Sequence, residues 1–315
     1  MENVYLLMVW SHVIGHELLK KQIEHNIYSK QVPHSQIFTG PPGYGALAMA
    51  IEFSLNFLGL ERKDKEALGL GKQSQHPNIH FIYPVVKKGN EKNVLARDYS
   101  SEWFNFLDKN HYGGYTDWFS SINVGNKQGV IGSYEIESLH QKMYLKGFGG
   151  KPKVCIVWGI EKLNSNGGNA FLKLLEEPPK NTFFILIAED HELVLPTILS
   201  RCQHTQFTPI EDKYLRPLIQ KKQVSVDSLL SQANGDYNQL QKLMESDENK
   251  EYQIILIEGL RIAYGANSKE NLIGDLINWS IKLSEFGREK QKSFLSYGIQ
   301  FLRDAFLTNY NVKNI

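Results

Sequence analysis

Residues 35–59 read SQIFTGPPGYGALAMAIEFSLNFLG, and the architecture turns on how this run is parsed. SQIFTG has the length and apolar content of a short buried strand, GPPGYG is a loop, and ALAMAIEFSLNFLG resumes as a strongly apolar helix. Strand, glycine-rich loop and helix form the setting in which the phosphate-binding pattern G-x-x-x-x-G-K-[ST] has physical meaning. Gly40, Gly43 and Gly45 supply the glycines, but Ala46 stands where the lysine belongs and Leu47 where the magnesium-binding hydroxyl belongs. The topology of a nucleotide loop is present without its chemistry. Gly45–Leu47 still open a helix, whose backbone N–H groups are expected to attract an anion weakly.

Working outward, residues 11–31 carry Val13, Ile14, Leu18, Leu19, Ile23 and Ile27 at near-helical spacing, which predicts a helix before the loop. Residues 61–130 are irregular and include the aromatic tract Tyr99–Phe119, broken by Gly113 and Gly114. Trp103, Phe104, Phe106, Tyr112, Tyr115, Trp118 and Phe119 are expected to pack this insertion onto its own domain, a partner-binding face being the alternative. KVCIVWGI and TFFILIAED are continuous apolar strands of the kind buried in parallel sheets, separated by the helical NAFLKLLEEPP. Beyond Pro209 only helical patterns follow. The chain is therefore expected to be α/β over 1–208, with a small helical lid over 209–248 and a helical collar over 249–315.

The 315 residues carry 35 Lys and Arg against 34 Asp and Glu, so no basic excess marks a dedicated nucleic-acid binder. No apolar run reaches membrane-spanning length, and the N-terminus lacks the pattern of a signal peptide, which makes the cytoplasm the expected location. Cys155 and Cys202 are too few for a zinc site or a disulfide framework, and each is expected to be a reduced, small, buried side chain. His76 and His80 flank Pro77, which argues for a loop and against a helical metal pair, so no metal is expected. Glu176 and Glu177 are adjacent and expected to be solvated or interface-facing. The lysine pairs at 20–21, 87–88 and 221–222 are expected to lie on solvated faces.

Several motifs, in order, are VIGHELLKKQI, TGPPGYG, HPNIHFI, KVCIVWGIEKLNSNGGNAFLKLLEEPP, TFFILIAED and LPTILSRCQ. Through them the chain resembles the delta-prime family of bacterial DNA polymerase III clamp-loader subunits, within the AAA+ superfamily. The likeness runs from about residue 13 to about residue 245, and WSIKLSEFGREKQKSFLSYGIQFLRDAF resembles the start of the family's collar. It implies an AAA+ P-loop-type parallel sheet. It also implies that Trp158 and Gly159 occupy the places of a magnesium-holding Asp-Glu pair, Ala188–Glu189 the place of a polar sensor, and Asn238 the place of a lid arginine.

Phosphoryl transfer depends on charge stabilisation by lysine, metal and arginine, so these substitutions imply no hydrolysis in the chain's own site and no functional cofactor. The resemblance assigns Arg201, flanked by Ser200 and Cys202, as a finger reaching a neighbour's ATP. Gamma/tau and delta subunits, a sliding clamp and primer–template DNA are the implied partners. The collar is expected to be short of the family's full length and the isolated protein to be a monomer. An active ATPase with unusual catalytic groups, and a purely structural AAA+ scaffold, are the alternatives.

Overall fold

The computed structural model describes residues 8–60, 69–87, 94–124, 129–219, 226–245, 248–265 and 272–309. The strands β1 (Ser35–Thr39), β2 (Ile79–Ile82), β3 (Lys153–Trp158), β4 (Thr182–Ala188) and β5 (Gln203–Gln206) make one sheet in the order β2-β3-β4-β1-β5. Every pairing is parallel, with Ile37 opposite Leu186 and His204, and Ile156 opposite Phe81 and Ile185. Parallel neighbours require crossovers, and helices supply them. The apolar runs at β1, β3 and β4 are central and buried, as strands covered on both faces must be.

The first helices are α1 (Glu17–Tyr28), α2 (Ala46–Phe57), α3 (Leu70–Gln73), α4 (Ser100–Asn110), α5 (Tyr115–Ser121) and α6 (Ser133–Tyr144). α7 (Ser165–Glu176), α8 (Pro196–Leu199) and α9 (Asp212–Leu215) follow. α2 is mostly apolar and buried from Ala46 to Leu55, with Glu52 paired to His12 and Ser54 donating to the Ala50 carbonyl. α6 and α7 press Ile136, Leu139, Phe171 and Leu174 onto Cys155, Val157 and Leu186 of the sheet. Asn164 caps α7 by accepting a hydrogen bond from the Gly167 N–H at 2.7 Å, and Pro178–Pro179 prevent its continuation.

The first helix begins later than its periodicity suggests. Gly15 and His16 adopt left-handed backbone angles, φ 67° and 56°, so Ser11–Ile14 lie outside α1. Those residues are instead held to the insertion: the Ile14 N–H donates to the Tyr112 hydroxyl at 2.8 Å, and that hydroxyl donates to the His12 carbonyl at 3.3 Å. Lys20, expected on a solvated face, is buried and donates to the Val13 carbonyl and to Glu17, at 2.9 Å each. Lys21 and Lys87 are exposed, while Lys88, Lys221 and Lys222 lie outside the described residues.

The chain divides into two compact units, Met1–Leu215 with Gly235–Asn238, and Arg216–Asn234 with Gln239–Ile315. The second is helical, drawing on α10 (Val226–Ala233), most of α11 (Tyr237–Glu245), α12 (Glu248–Tyr264), α13 (Leu272–Ser284) and α14 (Arg288–Asn309). Tyr252, Ile255 and Phe294 form its small core. Trp279 packs so close to Gly259 that an added Cβ would lie 2.6 Å from its ring, and its indole N–H donates to the Ile255 carbonyl at 2.7 Å. Among the described residues no helix is long and apolar enough to cross a membrane.

Candidate functional site

The loop between β1 and α2 keeps the backbone path of a phosphate loop. Gly40, Gly43 and Gly45 have φ of 155°, 86° and 94°, values at which a side chain is strained. Hydrogen bonds fix that path: the Gly40 N–H donates to the Ala188 carbonyl at 3.1 Å, and the Gly43 N–H to the Tyr112 carbonyl at 2.8 Å.

The space in front of this loop is filled. A Cβ on Gly45 would lie 3.1 Å from the Tyr112 ring, and one on Gly43 would lie 1.7 Å from the Asp236 carboxylate. What remains among Gly40–Gly43, Gly45–Leu47, Tyr112, Trp158, Ile187 and Glu189 is a cavity of about 20 Å³, space for about one water. Gly45–Leu47, expected to attract an anion weakly, border this narrow space, where space for about one water is less than a phosphate group occupies.

The filling comes from the aromatic insertion. Trp103 and Trp118 are fully buried, and Phe106, Tyr112 and Tyr115 nearly so, while Phe104 and Phe119 are half-buried. Trp103 stacks on Tyr83 at 4.1 Å and meets Trp118 edge-on at 5.3 Å. Trp158 is 2% exposed and packs on Tyr115 at 4.8 Å and Trp103 at 5.2 Å. Gly159 has φ 87° and sits under Pro84, whose Cγ would be 2.8 Å from an added Cβ. The expected packing of the tract onto its own domain is what the structure has.

Two carboxylates bolt the insertion down. Glu189 Oε1 accepts the Tyr115 N–H at 2.8 Å, and the Tyr115 hydroxyl donates to Glu161 Oε1 at 2.6 Å, which also accepts the Glu189 N–H at 2.8 Å. Burial, with Glu161 and Asp117 nearby, pushes the Glu189 carboxyl up to about 7, and burial raises Glu161 as well. Asn238 donates to Asp117 at 2.8 Å and accepts from Asn110 at 3.0 Å, which makes it a buried polar clasp on the insertion.

Arg201 is elsewhere. It lies in the turn between α8 and β5, and the register of β5 with β1 puts it near the N-terminal end of the sheet edge. The loop Gly40–Gly45 leaves the C-terminal end of β1, on the order of 15 Å away at about 3.3 Å per strand residue. Arg201 and its own socket are at opposite ends of the sheet. Its side chain is 35% exposed, and its guanidinium donates to Glu176 Oε1 at 2.5 Å and to the Thr197 carbonyl at 2.9 Å, with Ser200 Oγ at 3.4 Å.

Glu176 and Glu177 are both exposed, as expected of a solvated pair, and Glu176 also accepts a hydrogen bond from Arg201. Ser200 is exposed, and Cys202, in the turn before the polar edge strand β5, is only half-buried, while Cys155 is fully buried. His76 lies in the turn before β2 and accepts the Asn78 N–H through Nδ1 at 3.1 Å. His80 is on β2 itself, its pKa lowered to about 4 by burial and by Lys142 and Lys153. Among the described residues no group of three or more His, Cys, Asp or Glu is placed to hold a metal.

A five-stranded, all-parallel sheet connected by helices, with a glycine-rich loop between β1 and α2, is the class this arrangement defines. Residues 15–211 match the family model described as "DNA polymerase III, delta subunit", and the chain belongs to that family. It is 23% identical over 245 residues to DNA polymerase III subunit delta' of Bacillus subtilis, covering 76% of this chain and 62% of that protein. To subunit tau of the same organism it is 23% identical over 266 residues, spanning 82% of this chain and 41% of that one. Among solved structures it is similar to a DNA polymerase III gamma subunit-related protein from Thermotoga maritima, with TM-score 0.44, 14% identity and coverage of 88% and 77%.

Proposed function

We propose that this chain is a delta-prime-type clamp-loader subunit that does not turn over ATP in its own site and presents Arg201 to the nucleotide of a neighbouring subunit. The observation that carries this reading is the separation of the two features. The socket has space for about one water, and the cation that suits phosphate stands partly exposed at the other end of the sheet. A guanidinium so placed serves another chain's phosphates or none.

In this reading the neighbours are gamma/tau and delta subunits, and the assembly places a sliding clamp on primer–template DNA in the cytoplasm. The three-part division at 1–208, 209–248 and 249–315 gives the sheet unit, a lid and a collar through which the subunits join. A purely structural role is the second reading, and the intramolecular pair of Arg201 with Glu176 is what favours it.

The test is ATP hydrolysis by the complex reconstituted with clamp and primed DNA, comparing wild type with Arg201→Ala after confirming assembly of both. A fall of about 10³-fold or more is the scale of a lost arginine finger. An unchanged rate removes the finger and leaves the scaffold.

A further inference from the structure

The geometry points to Glu176 as a latch on Arg201, holding the guanidinium within this chain and competing for it with the nucleotide phosphate of the neighbouring subunit. This rests on the finger reading and adds to it how the arginine is released.

Glu176 is the last residue of α7, at the negative end of the helix dipole, where a carboxylate is disfavoured. Helix stability does not explain it there, and neither does burial, since the side chain is 49% exposed. Its partner does: Nη2 of Arg201 lies 2.5 Å from Oε1, a short charge-assisted contact.

The frame that brings the two together is rigid. Phe171 and Leu174 of α7 and Ile198 of α8 share one core. Leu195 lies so close to Gly168 that an added Cβ would be 2.7 Å from its Cδ1. The backbones of Glu176 and Arg201 are thus fixed by packing, and exchange of partners falls to the two side chains. Nη1 stays engaged with a neutral acceptor, the Thr197 carbonyl, so the contact that a phosphate opposes in charge is the one to Glu176. Two anions facing one guanidinium repel each other, and a phosphate arriving at Arg201 has to displace the carboxylate.

The experiment is steady-state ATP hydrolysis by the reconstituted complex as a function of ATP concentration. Glu176→Gln keeps an acceptor oxygen and removes the charge. It should lower KM for ATP about two- to fivefold, the scale of an exposed ion pair, with kcat nearly unchanged and the effect shrinking as salt rises. The same substitution in an Arg201→Ala background should change nothing, and Glu177→Gln should leave both constants as in wild type. An unchanged or raised KM in Glu176→Gln, or an effect that survives without Arg201, overturns the latch while the finger stands. A rate indifferent to Arg201→Ala overturns the finger reading and the latch with it.

Discussion

The carboxylate of Asp236 rests on the Cα of Gly43 so closely that a Cβ at that glycine would come within 1.7 Å of Oδ1. Gly43→Ala therefore meets two obstacles, a φ of 86° and an occupied position. The backbone alone costs about 1–3 kcal/mol, and displacement of Asp236 adds to it. Gly59 has φ 58° with nothing within 4 Å of an added Cβ, so Gly59→Ala isolates the backbone cost at about 1–2 kcal/mol. Urea unfolding of the two variants should rank Gly43→Ala clearly lower, and equal losses would mean that the Asp236 contact carries no weight.

Restoring the missing letters of the nucleotide motif should not restore nucleotide binding. Ala46→Lys puts an ammonium at the edge of a cavity of about 20 Å³, still closed by Tyr112 and Trp158. Titration of the purified variant with a fluorescent ATP analogue should give no saturable signal at millimolar concentration. Micromolar binding would show that the plug opens. Gly159→Glu should fail earlier, as loss of folded protein, because φ 87° and the Pro84 ring leave no place for a side chain.

The parts of this architecture written in side-chain pattern were legible in the sequence, and those held by backbone were not. SQIFTG, KVCIVWGI and TFFILIAED announce β1, β3 and β4 because burial on both faces demands continuous apolar runs. β5 reads QHTQ and gives no such sign: it is mostly exposed and owes its place to parallel pairing with Gln36–Thr39. α6 was recoverable, since Ile136, Leu139 and Met143 recur at helical spacing within an otherwise irregular tract. At the site, the sequence shows Ala46 and Leu47 following the three glycines where a phosphate-loop pattern would have a lysine and a hydroxyl. That Tyr112 borders the space and Asp236 crowds Gly43 is not legible there, because the first is far away in sequence and the second is one acidic residue among 34 Asp and Glu. The pairing of Glu176 with Arg201 spans 25 positions and has no periodic signature.

Trp103 anchors the insertion. It is fully buried and touches the rings of Tyr83, Phe106, Trp118 and Trp158. Trp103→Ala should cost about 3–5 kcal/mol. Phe104→Ala, from a half-buried neighbour, should cost clearly less, and thermal melts of the pair measure the contrast. Equal melting temperatures would show that the insertion does not contribute to the fold's stability.

Glu189 predicts a pH dependence. Its carboxyl titrates near 7 in the folded chain, above the ordinary value of 4.5, so the folded state holds a proton that the unfolded chain gives up. That contribution is fully present below about pH 4.5 and is lost as pH rises through 7. Measured against Glu189→Gln, wild type should lose on the order of 2–3 kcal/mol between pH 5 and 8. His80 and His111, both lowered to about 4, favour the folded state toward higher pH, but they are common to both proteins and cancel in the difference. A difference flat with pH would mean that Glu189 ionises freely in the folded chain.

A pocket that binds a diffusible ligand is stabilised in proportion to the logarithm of that ligand's concentration, and its order rises and falls with supply. Tyr112 and Trp158 are joined by peptide bonds to the loop they cover, so their effective concentration is a property of the chain rather than of its surroundings. The socket is in this sense permanently saturated. The filling of this space is set by the covalent chain and not by the supply of any ligand.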